Sequence, residues 1–589
     1  MSDMFAPLSL VLLVLWPLLL ALALAFRATR AAALQLAPWA ALPVFILALF
    51  APTTATTLKL PWILLGSELG LSDDTGRLFL VFTSLLWWLS GLFSRAYLAQ
   101  QAGRPTFYIY FLLAMTGNFG LILAQDLGSY YVFFALMSFA SYGLVIHERS
   151  GAALRAGRVY LILVVIGELA LFAAMIMAVS ATHAIDIATV RAGLAHAQSR
   201  DLIILLALIG FGIKAGVIGL HVWLPLAHPV APTPASAVLS GAMIKAGLLG
   251  WLRLLPLGEV VLLNWAEVFI LLGLVAAFYG VVVGLTQRDP KTLLAYSSIS
   301  QMGIMTLGVG LALAAPNATP QILIAITLYA LHHGLNKGAL FLGVGVIAAS
   351  HGKQRRWVWW GLWLPALALA GVPLSSGMLV KVLIKAHTIH APEQWVALLP
   401  ILLSASAVAT MLLVGRFMVI LAKPKAAISM HGSAAGLIWP WAMLVVSGVV
   451  LPWWYAPAIP GLFSAASILS STWPALLGGL VLLAALFWAG YRRQQRGQEA
   501  IIESFVPPIP PGDLLVPISY VLSGFVCALS IWLDTQLPRW RDTFLMRIKK
   551  PYTHLDGAQA LARIETALQR WRSGLLLFLI IGLLLIWLV

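Results

Sequence analysis

Charge is what this chain has least of. Only 10% of its 589 residues are Asp, Glu, Lys or Arg. A soluble domain carries roughly 25% to cover its surface, so a water-soluble globule is excluded. Cysteine is nearly absent, with Cys527 alone, which rules out an internal disulfide and a self-contained iron–sulfur cluster. Dinucleotide-binding glycine patterns, phosphate-cradling loops and metal-binding helix motifs are missing as well. The chain alone therefore reads as no enzyme, with no cofactor and no metal. Acid is scarcer than base, 20 Asp+Glu against 36 Lys+Arg, leaving a net charge of +16.

What the chain has instead is apolar surface: 61% hydrophobic residues and a mean hydropathy of +0.96. Apolar runs of roughly 18–25 residues recur from end to end, long enough to cross about 30 Å of hydrocarbon. They are continuous rather than alternating, which excludes a transmembrane β-barrel. The expected fold is an all-α polytopic membrane protein with about 15–17 spans. Spans are expected near 7–26, 31–51, 78–95, 107–125, 129–146, 158–180, 201–219, 234–252, 258–285 and 291–313. Others are expected near 322–347, 359–387, 397–421, 435–454, 474–491 and 573–589. The stretch 513–534 reads either as a span or as the start of a surface element. The first run, Pro7 to Phe26, lacks a basic leader and a small-residue cleavage site, so it reads as a retained helix.

Basic residues fall in alternate loops: Arg27 and Arg30, Arg95 and Arg104, Arg149 to Arg158, Arg288 and Lys291, Lys353 to Arg356, Lys423 and Lys425, Arg492 to Arg496. The positive-inside rule puts these loops in the cytoplasm, the N-terminus outside, and loops 52–77 and 181–200 outside. The basic excess thus reads as topology in a lipid bilayer, not as nucleic-acid binding. Region 492–572 differs in kind. It opens RRQQRGQE, passes VPPIPPGD, and ends in the basic, amphipathic RWRDTFLMRIKKPY and ALARIETALQRWR. Such a segment suits the membrane surface or the flank of a partner subunit.

Several titratable groups sit inside spans, where each costs roughly 2.5–3.5 kcal/mol on insertion scales and is a functional candidate by default. Glu168 lies in VVIGELALF, Lys214 in IGFGIKAGV, Lys245 in SGAMIKAGL and Lys337 in LHHGLNKGAL. Lys381 and Lys385 follow LAGVPLSSGMLV. Lys245 and Lys337 lie about 10–15 Å from the nearer span end at helical rise, too deep for the lysine stem to reach the interface comfortably. Glu168 is similarly deep on a shorter stem. Lys214 is intermediate, since its depth depends on where the helix breaks. Lys385 is near a helix end and reads first as a snorkelling lysine.

HVWLPLAHPVAPTPASAV holds Pro225, Pro229, Pro232 and Pro234, which cannot all lie inside one continuous helix. A break at membrane depth frees carbonyls that must find water or protein partners, and transporters build midplane ion sites at such breaks. Pro365, Gly371, Pro373 and Gly377 interrupt a second span ahead of Lys381. Two interrupted spans with matched lysines suggest an internal duplication over roughly 107–252 and 258–421.

HVWLPLAHPVAPTPASAVLSGAMIKAG resembles the signature of the antiporter-like subunits of respiratory complex I, multisubunit cation/proton antiporters, membrane-bound hydrogenases and formate hydrogenlyases. RDPKTLLAYSSISQMG at 288–303, LHHGLNKGALFLGVG at 331–345 and GVPLSSGMLVK at 371–381 match further family segments in the same order. The resemblance spans about 100–425. It implies two inverted five-helix repeats, 107–252 and 258–421, after N-terminal helices 1–106. Additional helices 435–491, a lateral segment 492–572 and a last helix 573–589 would follow, as in the complex I subunit 5-like members. By position it implies a proton relay through Glu168, Lys214, Lys245, His332, His333, Lys337 and Lys381. His221, His228 and Lys385 are additional candidates, and either histidine could equally be structural. The family carries a glutamate where this chain has Ala135, and Glu168, one helix later, is the candidate substitute.

The resemblance implies a subunit of a larger complex in the cell's inner membrane, beside other membrane subunits. Three assemblies stay open: a redox-driven complex, a cation/proton antiporter without redox chemistry, or an inorganic-carbon complex with a carbonic-anhydrase-like peripheral partner. Lysines and histidines favour H⁺ over Na⁺ as the carried ion.

Overall fold

The computed structural model describes residues 2–50, 57–60, 66–423, 434–457, 462–496 and 509–512. Two compact units divide the chain, residues 1–60 with 67–512 and residues 61–66 with 513–589. The second lies outside the described residues except for Gly66, and with it the expectations for 513–534, for the amphipathic tail and for span 573–589.

Apolar runs fold as helices because a backbone in hydrocarbon must satisfy its own hydrogen bonds. Helix α1 (Ser2–Ala25) leads to α2 (Arg30–Leu36) and α3 (Leu42–Phe50). The span expected over 31–51 is one candidate span, Arg30–Phe50, with a 3-10 turn inside it. Pro38 sits in a 3-10 turn, Ala37–Trp39, and Pro43 opens α3, because neither proline can donate a helical hydrogen bond. Stretch 52–77, expected only as a loop, carries an antiparallel hairpin of β1 (Leu58–Leu60) and β2 (Ser67–Leu69). Helices α4 (Asp74–Tyr97), α5 (Arg104–Leu123), α6 (Leu127–Val145) and α7 (Gly151–Thr182) follow. Stretch 181–200, also expected as a loop, folds partly as α8 (Ile187–Leu194). Asp126 ties these loops together: it caps α6 through the Ser129 amide at 2.7 Å and accepts the Glu68 amide at 2.7 Å.

Next come α9 (Arg200–Ala215), α10 (Trp223–Val230), α11 (Thr233–Val238), a π turn (Leu239–Met243) and α12 (Ile244–Leu254). The chain continues through α13 (Leu263–Thr286), α14 (Pro290–Ala314), α15 (Thr319–Ala349), α16 (Gly352–Ala370) and α17 (Ser376–Ala386). It closes with α18 (Glu393–Val396), α19 (Leu398–Ala422), α20 (Ala434–Trp454) and α21 (Ala465–Arg496). Helix α21 runs on through Arg492 and Arg493 to Arg496, past the boundary expected at 492.

Eleven helices among the described residues are long and apolar enough to cross a membrane. The protein is an all-α, multi-pass membrane protein. Burial ranks the helices. Thr233–Leu254 is 100% enclosed over its apolar window and Pro290–Ala314 94%, against 11% for Ser467–Trp488. The central helices are therefore the ones that carry Lys245 and face it.

Close approach of α13 and α14 depends on small residues, as is usual for helices packing in lipid. A Cβ on Gly303 would stand 2.5 Å from the Gly273 carbonyl oxygen, and one on Gly273 2.4 Å from that of Gly303. Backbone cannot yield as a flexible side chain can. Gly303→Leu is thus expected to cut the yield of monodisperse protein at least fivefold by size-exclusion in detergent, since no rotamer of the new side chain moves its Cβ away from the facing backbone.

Candidate functional site

Two helices break in the same way. Helix α9 ends where Gly216 takes φ +77°, and α16 where Gly371 takes φ +83°, a conformation open to glycine and strained for residues with a Cβ. The expectation that prolines would make the breaks holds in part: Pro232 separates α10 from α11, and Gly371 and Pro373 lie in the second break, while other prolines named for the breaks stay inside helices. The first break is the stretch 216–222, ahead of Pro225, and Pro229 stays inside α10. Pro365 likewise stays inside α16. Pro225 falls in the first turn of α10, where no intrahelical donor is needed. Carbonyls freed by the breaks are taken up by side chains. Trp223 Nε1 donates to the Ile213 oxygen at 2.7 Å, and Lys381 Nζ donates to the Ala370 oxygen at 2.7 Å.

Lys214, in the last turn of α9, is 2% exposed. Its Nζ donates to Tyr160 Oη at 3.0 Å, and that hydroxyl donates to the Ser138 carbonyl on α6 at 2.8 Å. Glu168 is 6% exposed on α7 and close enough to Lys214 for the two charges to interact. No ion pair within 4.0 Å forms between them, and Glu168 Oε2 has no hydrogen-bond partner among the described residues. Helices α7 and α9 meet where Gly167 faces Gly210, one residue before the carboxylate and four before the amine.

Lys245 is fully buried just beyond the π turn. Its Nζ donates to the Ser240 main-chain oxygen at 2.5 Å, a carbonyl that lies inside that turn. Ser240 Oγ meets Ser298 Oγ of α14 at 2.7 Å. Ser298 Oγ donates to the Leu294 oxygen at 3.0 Å, and the same oxygen accepts Lys337 Nζ at 2.9 Å. Two hydroxyls and two carbonyls thus join the amines of Lys245 and Lys337 across three helices.

His332 and His333 are buried on α15 one turn before Lys337. His332 Nδ1 lies 2.9 Å from Ser376 Oγ at the start of α17 and 3.1 Å from Asn336 Nδ2. Ser376 Oγ donates onward to the Gly448 carbonyl at 2.9 Å. Neither ring nitrogen of His333 has a hydrogen-bond partner among the described residues, and its ring lies within electrostatic reach of Lys245, Lys337 and His332. Lys381 and Lys385 are half-buried along a narrow crevice between α14, α17, α19 and α21. His221 sits in the first break, its Nδ1 accepting the Gly219 amide at 3.3 Å. His228 is buried and stacked on Phe341 at 4.6 Å.

The structure thus brings Glu168 to Lys214, Lys245 to Lys337, and His332 to the second broken helix. It leaves Lys385 at the edge. Several residues escape sequence reasoning. Tyr160, Ser240, Ser298 and Asn336 carry no spacing signal. Lys291 reads from sequence as topology, yet its Nζ donates to the Ala231 oxygen at the end of α10 at 2.6 Å. Arg416, 7% exposed within α19, is visible as a charge inside the run 397–421. Among the described residues no group of three or more His, Cys, Asp or Glu could hold a metal ion.

A family model described as NADH:quinone oxidoreductase/Mrp antiporter, TM, matches residues 124–407. Hydrogenase-4 component B of Escherichia coli (strain K12) is 31% identical over 335 residues, covering 53% of this chain and 50% of the relative. The putative antiporter subunit mnhA2 of Staphylococcus saprophyticus is 31% identical over 355 residues, 55% of this chain and 44% of the relative. The chain therefore spans about half the length of these curated relatives, or less. A solved structure of the Mrp complex from Dietzia sp. DQ12-45-1b superposes with a TM-score of 0.72 at 21% identity, over 92% of this chain and 62% of that one. That likeness speaks to the fold.

Proposed function

We propose that the chain, whose residues 124–407 match the family model described as NADH:quinone oxidoreductase/Mrp antiporter, TM, is a proton-translocating subunit of a larger membrane complex. Glu168, Lys214, Lys245, His332, His333, Lys337 and Lys381 form the relay, running along the midplane through two halves, 107–252 and 258–421. His221 shapes the first break, and His228 and Lys385 flank the track. The complex sits in the cell's inner membrane, other membrane subunits pack beside this one, and any redox chemistry belongs to a partner.

One observation carries this reading: the fully buried amines of Lys245 and Lys337 and the half-buried amine of Lys381 donate to main-chain carbonyls rather than to carboxylates. An amine held only by neutral acceptors can lose its proton without stranding a buried counter-ion, whereas a fully paired ammonium cannot. A coordinated Na⁺ would need a cage of oxygen ligands, and a row of amines repels a cation.

The test uses the native complex, captured through a tag on this chain in mild detergent and reconstituted into liposomes with an internal pH dye. Proton flux should appear under an imposed potential and persist when choline replaces Na⁺, with liposomes from a strain lacking the chain showing none. Flux that vanishes without Na⁺, or is equal in both preparations, would reject the proposal.

A further inference from the structure

We propose that the hydroxyls of Ser240 and Ser298 are the proton gate between Lys245 and Lys337, and that the structure holds this gate shut. The inference deepens the relay reading and rests on it.

A main-chain carbonyl only accepts hydrogen bonds, while a hydroxyl both donates and accepts and can pass a proton on. Both amines in this structure are parked on carbonyls, Lys245 on the Ser240 oxygen at 2.5 Å and Lys337 on the Leu294 oxygen at 2.9 Å. Ser298 commits its one proton to the Leu294 oxygen at 3.0 Å. The 2.7 Å contact between the two hydroxyls therefore takes the proton of Ser240. Both lysine amines and the Ser298 hydroxyl donate to main-chain carbonyls, which cannot hand a proton to the next lysine. The link is continuous in geometry and closed to transfer.

Opening needs small motions. Lys337 leaves the Leu294 oxygen and its neutral amine accepts from Ser298 Oγ. Lys245, as an ammonium, turns from the carbonyl of Ser240 to the hydroxyl of the same residue. One proton then leaves Lys245 Nζ for Ser240 Oγ, the proton of Ser240 moves to Ser298 Oγ, and the proton of Ser298 moves to Lys337 Nζ. Lys245 ends neutral, Lys337 ends as an ammonium, and each serine regains one proton; both hydroxyls must rotate before the next transfer.

The π turn supplies a hinge. Leu239–Met243 holds Ser240 in i to i+5 geometry. Relaxing one such turn to an α turn would rotate the flanking helix by about 100° and part the Ser240 hydroxyl from Ser298, so the π geometry is what keeps the link connected. A competing route exists through His333, whose ring nitrogens have no hydrogen-bond partner among the described residues and which lies near both lysines. His228, also within electrostatic reach of both lysines, flanks the same space, and Lys381 lies beyond His332.

Ser298→Ala, Ser240→Ala, Ser298→Thr and His333→Phe in the reconstituted complex separate the routes. Ser298→Ala and Ser240→Ala should each lower proton flux at least tenfold with unchanged subunit composition, and Ser298→Thr, which keeps the hydroxyl, should retain most of it. If Ser298→Ala fails to assemble, Ser240→Ala, which removes the other hydroxyl, decides. Wild-type flux in both alanine variants, with flux lost in His333→Phe or in Lys337→Ala, would reject the gate while leaving the relay standing. Equal loss in the alanine and threonine variants of Ser298 would also reject it, since packing rather than the hydroxyl would then be at stake.

Discussion

Lys337→Ala should lower proton flux through the reconstituted complex about a hundredfold, or about 2.7 kcal/mol of barrier, while the complex assembles with its full set of subunits. The amine is fully buried and reaches one acceptor, the Leu294 oxygen. Removing it leaves that oxygen with the Ser298 hydroxyl as a donor, so little hydrogen bonding is lost. It also removes a group whose charged form is expensive to bury, so folding survives. Transport does not, because nothing else on α15 presents a titratable amine to α14. Lys337→Arg sharpens the test. Arginine keeps the cation and adds donors but does not release a proton in proteins. A structural cation would be rescued by arginine; a relay group would not. Wild-type flux in Lys337→Ala, or rescue by arginine, would end the relay reading.

Depth along a helix is legible because a span is a ruler. Counting residues from the ends of apolar runs places Lys245 and Lys337 near mid-membrane, and both are fully buried on the central helices. Lys385 reads as peripheral for the same reason and is half-buried. The breaks are legible as events but not as positions. At the first break, proline takes from sequence the part that Gly216 plays in the fold, because a proline removes a donor at a known place, whereas a glycine takes a left-handed φ only where the surrounding packing asks for it. The π turn at Leu239–Met243 leaves no mark in the periodicity, since one extra residue in a helix buried on every side changes no face. Ser240 and Ser298 are equally silent. A serine in a span usually donates back to its own helix, as Ser298 does to Leu294, and only the fold reveals that its lone pairs face another helix.

Electrostatic roles are the other gap. Lys291 stands in a loop rich in base and reads as a residue of orientation, but it holds the Ala231 oxygen at the end of the first broken helix. Sequence shows that a charge is near a helix end; which end of which neighbour it reaches is a tertiary fact.

Glu168→Gln is expected to lower proton flux at least thirtyfold, about 2 kcal/mol of barrier, with assembly unchanged. Glutamine keeps the volume and polarity of the side chain and deletes its charge. Lys214 then keeps Tyr160 Oη as an acceptor but loses the carboxylate within electrostatic reach, and a nearby carboxylate is what favours the ammonium over the neutral amine in a dry site. Loading the first lysine of the relay becomes the slow step. The same logic makes a second variant decisive. Ala135 stands one turn before Ser138 on α6, and the Ser138 carbonyl anchors the Tyr160 hydroxyl that holds Lys214. A glutamate introduced as Ala135→Glu therefore approaches Lys214 from the α6 side, and in the Glu168→Gln background it should restore flux to within about threefold of wild type, or about 0.7 kcal/mol. Restoration would show that the carboxylate partner of Lys214 has moved from one helix to the next without loss of function. Full flux in Glu168→Gln alone would show that Lys214 loads without a carboxylate, and failure of Ala135→Glu to rescue a defective Glu168→Gln would tie the switch to the α7 position itself.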